Sequence, residues 1–204
     1  MKISLTDAGK RFNRDWIFRH FTYTFETGQS YAITGSNGSG KSTLLQVLSG
    51  SMMVNEGKIE YAIGGQLDIE NIYKDVSICA PYLEVVEEMT LREFLDFHHG
   101  FKPFIKGVTT NTIIAALGLE MAAAKQIRYY SSGMRQRVKL AQCIFSDTAI
   151  VLLDEPCTNL DLHGIALYHQ LISDYCKNRL VVVSSNDEVE YRFCKQKIQM
   201  AEYK

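Results

Sequence analysis

Eight consecutive residues, Gly35-Ser36-Asn37-Gly38-Ser39-Gly40-Lys41-Ser42, fit the pattern G-x-x-x-x-G-K-[ST] without a mismatch. That spacing suits a loop that grips phosphates. Glycines let the backbone curl until consecutive N–H groups point inward at phosphate oxygens. A helix that follows adds the positive end of its dipole. The lysine of such a loop, Lys41, reaches the β- and γ-phosphates, and Ser42 offers a hydroxyl to Mg²⁺. A chain of this length and average composition shows the pattern by accident roughly once in a hundred. The context makes an accident rarer still, because a buried-strand pattern precedes the loop and a helical one follows it.

A metal needs a second anchor. Ile150-Val151-Leu152-Leu153-Asp154-Glu155 is an apolar strand ending in two carboxylates. Asp154 at the strand's carboxyl end suits Mg²⁺, and Glu155 suits orienting or deprotonating an attacking water. A strand that merely ends in solvated acids is the bland alternative.

These residues require particular elements around them. Ser30–Thr34 reads as a buried strand feeding the loop. Lys41–Ser49 reads as a helix with Leu44, Leu45 and Leu48 on its inner face. His20–Thr27 alternates as a half-buried strand does, and Gly28 breaks it. Lys58–Ile63 is a strand running into a Gly64-Gly65 turn, and Val76–Cys79 is a short apolar strand. The middle is helical: Thr90–His99, opened by a Thr90/Glu93 capping box, then Thr109–Leu117 and Ser131–Phe145. Val138, Leu140, Ala141 and Ile144 mark the buried side of the last of these. Ala149–Leu153 and Leu180–Ser184 are continuous apolar runs, the mark of parallel strands covered on both faces. Leu162–Lys177 is a helix between them, and Lys197–Ala201 an edge strand. The alternation predicts an α/β fold with a mostly parallel sheet flanked by helices.

Bulk properties narrow the classes. The 204 residues carry 46% apolar and 22% charged side chains, enough for a sizeable core. A net charge of -1 gives no support for a nucleic-acid binder. Five cysteines with no C-x-x-C pair argue against a disulfide scaffold or zinc site and fit a reducing cytosol. No run approaches ~18 apolar residues, so any membrane-spanning part is expected in another chain. Met1–Lys10 hold no signal-peptide run. His98-His99 point differently on a helix and read as a polar helix end rather than metal ligands, and Cys157 as a small packing residue.

Tyr130-Ser131-Ser132-Gly133-Met134-Arg135-Gln136-Arg137 resembles the signature LSGGQ-x-Q-R of the ATP-binding cassette (ABC) ATPases, and Thr158-Asn159-Leu160-Asp161 resembles their D-loop. Ser131, Gly133, Gln136 and Arg137 match, while Tyr130, Ser132 and Met134 depart. The resemblance covers essentially the whole chain. It implies a single ABC-type ATP-binding domain over residues 1–204. The core is a P-loop NTPase fold with an antiparallel β subdomain and a helical subdomain inserted at about 81–146. It implies that ATP and Mg²⁺ are bound, with Gly35 to Lys41, Ser42 and Thr43 around the phosphates and Ser42 and Asp154 at the metal. Phe12 stacks on adenine in this reading, with Trp16 as the substitute. Glu155, Lys41 and Asn186 are the catalytic set. Two cassettes, identical or different, pair head to tail, and Ser131 and Gly133 of one cap the nucleotide of the other. A polytopic membrane subunit completes the assembly at the cytosolic face of the membrane.

Two family positions differ. The glutamine expected after Val76–Cys79 is replaced within Cys79-Ala80-Pro81-Tyr82, and proline offers no side-chain donor or acceptor. The histidine expected after Val181–Val183 is Asn186, which hydrogen-bonds but carries no charge. Hydrolysis is therefore expected, at a reduced rate. The leading expectation is the ATP-hydrolysing subunit of an ABC transporter. The chain is close to a minimal cassette, which is similar to small export-type cassettes. A nucleotide-gated regulatory or assembly module is the second reading, and a soluble non-transport ABC ATPase the third.

Overall fold

A computed structural model describes residues 1–63, 66–67 and 71–204. The Gly64-Gly65 turn expected from the sequence lies outside them. The chain folds into two compact units, one formed by Met1–Ile78, Ala149–Asp154 and Asn178–Lys204, the other by Cys79–Thr148 and Glu155–Lys177. The second contains the stretch 81–146 and also takes in the segment after Asp154.

The first unit begins with two long strands, β1 (Lys2–Phe12) and β2 (Asp15–Glu26), then β3 (Ser30–Thr34), α1 (Lys41–Leu48), β4 (Glu56–Ile63) and β5 (Gln66–Leu67). A one-turn helix α2 (Ile72–Asp75) leads into β6 (Val76–Cys79). In the second unit, α3 (Leu91–Phe101), α4 (Thr110–Ala116) and α5 (Ser132–Ile144) follow. The chain then alternates through β7 (Ile150–Asp154), α6 (Leu162–Tyr175), β8 (Leu180–Ser184), α7 (Glu188–Tyr191) and β9 (Gln196–Gln199).

Two sheets result: an antiparallel one in the order β2-β1-β4-β5 and a five-stranded one in the order β6-β7-β8-β3-β9. In the second sheet, β3 lies parallel to both β8 and β9, and β7 lies parallel to β8. β7 and β8 are buried along their whole length and β3 from Tyr31 onward, as continuous apolar runs require. β9 ends at Gln199 because a 3₁₀ turn over Met200–Tyr203 takes up the residues expected to extend it.

One apolar core ties the sheets to α1. Leu44, Leu45, Val47 and Leu48 of that helix are fully buried among Phe18, Phe21, Phe25, Ile33, Leu152 and Val182. Each such side chain contributes about 1.5–3 kcal/mol of burial, so the element after the glycine-rich loop is held firmly.

In the second unit, α3 contacts α4 and α5, and α5 contacts α6. The expected capping box is present: Thr90 Oγ1 accepts from Glu93 N–H at 3.3 Å, and Glu93 Oε2 accepts from Thr90 N–H at 2.9 Å. At the other end of α3, His98 Nε2 lies 2.8 Å from Ser146 Oγ, and His99 Nδ1 accepts from Phe104 N–H at 3.1 Å. Both rings close the helix end.

Burial, helped by the neighbouring Lys102 charge, pushes the His98 imidazole down to about 4. An unfolded histidine titrates near 6.5, so between these values the unfolded chain binds a proton that the folded chain does not. Stability is therefore full above about pH 6.5 and declines as the pH falls toward 4. Thermal melts should show the midpoint falling by several degrees across that window, and His98→Gln should flatten the profile.

Candidate functional site

The parallel register gathers the chemistry at one sheet edge. Ile33 of β3 and Asp154 of β7 are both paired with Ser184 of β8. The end of β3 and Asp154 thus lie two strand spacings apart, about 10 Å. The glycine-rich loop leaves β3 at this edge, which is where open α/β sheets bind ligands.

The loop curls as its sequence requires. Ser39 N–H donates to Ser36 O at 3.0 Å. Gly40 has φ +102, and a Cβ there would meet Ile17 Cγ2 at 2.5 Å, so no other residue fits both the conformation and the space. Gly40 is also the N-cap of α1, and it offers that helix no side-chain acceptor. The other helices of eight residues or more are capped: α3 by Thr90, α5 by Ser131 and α6 by Asp161. The first amides of α1 therefore keep their donors for an external anion.

Charge makes the same point. Lys41 is buried, and its Nζ donates to Gly35 O at 2.8 Å and to Ser36 O at 3.4 Å. Asp154 is buried at 3% exposure, with its Oδ1 accepting from Ser184 Oγ at 2.7 Å. Neither forms an ion pair among the described residues. A buried cation and a buried anion without ionic partners are costly, and a phosphate chain with a divalent metal would compensate both. Ser39 Oγ is likewise buried and has no partner among the described residues. Ser42 and Thr43 occupy the first turn of α1, half-buried. This donor set fits Mg·nucleotide.

Asn186 follows β8 and reaches the loop. Its Oδ1 accepts from Gly35 N–H at 3.2 Å, and its Nδ2 donates to Asn37 Oδ1 at 3.3 Å. Phe12 is half-exposed, with the Lys10 ammonium 5.5 Å from its ring centre, so part of its ring surface is available for stacking. Trp16 has the Arg19 guanidinium 4.3 Å from its ring centre and Arg11 at 5.5 Å, which makes it the poorer platform.

In the second unit, Glu155 follows Asp154 in the chain with φ 45, a left-handed conformation that is strained for a residue with a side chain. Its carbonyl accepts from Thr158 N–H at 3.2 Å and from Thr158 Oγ1 at 2.9 Å. Ser131 caps α5, its Oγ accepting from Met134 N–H at 3.2 Å; its own proton is left to donate elsewhere. A cavity of about 250 Å³ is bordered by Ser131, Gly133, Asn159 and Asp161. A Cβ on Gly133 would stand 3.0 Å from Asn159 O, so a side chain there would push the two segments apart.

Two matched residues, Gln136 and Arg137, have structural partners that the sequence did not disclose. Gln136 Nε2 donates to Pro156 O at 2.7 Å, and Arg137 Nη2 lies 3.6 Å from Asp161 Oδ1. They tie α5 to the segment after Glu155. Pro81 is exposed, and its carbonyl accepts from Lys139 Nζ at 3.2 Å. Ser184 was also missed; in the sequence it is simply the first of two serines after the run Leu180-Val181-Val182-Val183.

Comparison with known proteins agrees with this geometry. The family profile described as ABC transporter matches residues 18–158. The uncharacterized ABC transporter ATP-binding protein YybJ of Bacillus subtilis is 31% identical, covering 92% of this chain and 86% of that protein. The cytochrome c biogenesis ATP-binding export protein CcmA of Reclinomonas americana is 27% identical, covering 83% and 77%. Among solved structures, a dimeric post-hydrolysis state of the ATP-binding cassette MJ0796, bound to ADP and Pi, superposes with a TM-score of 0.81 at 20% identity, covering 97% and 93%. With a profile match over more than half its length, the chain belongs to the ATP-binding proteins of the ABC transporter family.

Proposed function

We propose that the whole chain acts as one ATP-binding domain that hydrolyses ATP to drive a membrane partner. The observation that carries this reading is the start of α1, without a side-chain cap, together with a buried Lys41 and a buried Asp154, neither with an ionic partner among the described residues. The loop amides and Lys41 bind the β- and γ-phosphates, and Phe12 stacks on the adenine. Bound Mg²⁺, held by Ser42 and Asp154, would neutralise charge on the phosphate oxygens. Glu155 orients a water and takes its proton as the water oxygen bonds to the γ-phosphorus; the bond to the β–γ bridging oxygen breaks and ADP departs.

Ser131 and Gly133 serve the nucleotide of a second cassette, identical or different, so that two ATP molecules lie between two chains. The dimeric relative bound to ADP and Pi supports this pairing. No helix among the described residues is long and apolar enough to cross a membrane. A polytopic membrane subunit is therefore proposed as the partner, with this chain at the cytosolic face, in keeping with the export protein named above. No nucleic-acid role is assigned to it.

The two departures set the rate. Pro81 brings no side-chain polar group to the stretch where the family resemblance expects glutamine, and Asn186 brings an uncharged amide where it expects histidine. Turnover is accordingly slow.

Steady-state phosphate release should be measurable with the membrane partner present and fall by about a hundredfold or more in Glu155→Gln, while Mg·ATP binding persists. Wild-type release no greater than that of the variant would leave a binding module only. Asn186 does not titrate, so the rate attributable to this position should stay level from pH 6 to 7.5. Asn186→His should introduce a dependence centred near about 6.5.

A further inference from the structure

We propose that Ser184 is a positioning residue that sets the rotation of the Asp154 carboxylate for metal capture; the inference rests on the Mg·ATP reading above. Ser184 and Asp154 are paired in the β7–β8 register, so their side chains leave the sheet on the same side. Ser184 Oγ donates to Asp154 Oδ1 at 2.7 Å, a short, charge-assisted bond. The serine is fully buried and the aspartate 3% exposed, so water does not compete for this contact.

A carboxylate at a strand end turns freely about its last torsion unless something holds it. With Oδ1 fixed by the serine hydroxyl, the plane of the group is set, and Oδ2 is aimed without reorganisation when a cation arrives. A hydroxyl suits this task because it donates without adding charge; a lysine or arginine here would neutralise the anion and compete with the metal. Ser184 is also the one polar residue of β8, the strand that separates β7 from the loop-bearing β3. The adjacent Ser185 N–H donates to Ile33 O at 3.1 Å, which ties this strand end to the root of the loop. Partners that orient a metal's direct ligands are commonly worth about tenfold or more in affinity.

The test is calorimetric titration of ATP into the full chain, once with Mg²⁺ and once with the metal chelated, on wild type, Ser184→Ala and Ser184→Thr. Ser184→Ala should lose about tenfold in the gain that Mg²⁺ confers on ATP affinity. Its metal-free ATP affinity should stay near wild type, and Ser184→Thr, which keeps the hydroxyl, should recover most of the gain. An unchanged Mg²⁺ gain in Ser184→Ala overturns the proposal. So does an equal loss of metal-free ATP affinity, which marks a packing role. A wild-type chain that binds ATP equally with and without Mg²⁺ instead overturns the metal reading beneath it.

Discussion

The rest of the structure depends on a charge that has no ionic partner among the described residues. Lys41 is buried, and its Nζ donates to backbone carbonyls of its own loop. An ammonium in that position is tolerable because the loop curls around it and because an anion can complete it. The other features at the site serve this arrangement. Gly40 turns the chain into α1 without adding a side-chain cap, the leucines of α1 fix the helix against the sheet, and parallel pairing brings Asp154 to the same edge.

The second unit solves a different problem. Its long helices are capped by their own side chains, so their ends are not vacant in the way that the start of α1 is. What it preserves instead is a close backbone approach, with Gly133 against the carbonyl of Asn159 and with Gln136 and Arg137 holding α5 to the same segment. The two stretches that resemble the family signature and D-loop are thus joined to one another. The strained backbone of Glu155 opens that segment directly after Asp154.

Much of this was legible in the sequence because burial in parallel sheets leaves long apolar runs. Ser30–Thr34, Val76–Cys79 and Leu180–Ser184 are strands with the bounds their composition predicts. β1 was not legible. Its pairing shifts register at several points between Leu5 and Arg11, and Asp7 adopts φ 48, so the apolar alternation is broken where the strand bulges. Its hydrogen-bonding partners lie in β2 and β4, and a local reading cannot supply them. The phosphate loop and Asp154 carry local patterns and could be found. Ser184 could not, because its meaning comes from a register between two strands about thirty residues apart.

The central claim is that amides at the start of α1 close around nucleotide phosphates. Backbone amide NMR of the labelled chain tests it most directly, with Mg·ATP and adenosine added in separate titrations. Resonances of residues 38–43 should shift most with Mg·ATP and stay in place with adenosine, while those around Phe12 respond to both. Amides 38–43 that remain unmoved at saturating Mg·ATP would contradict the account.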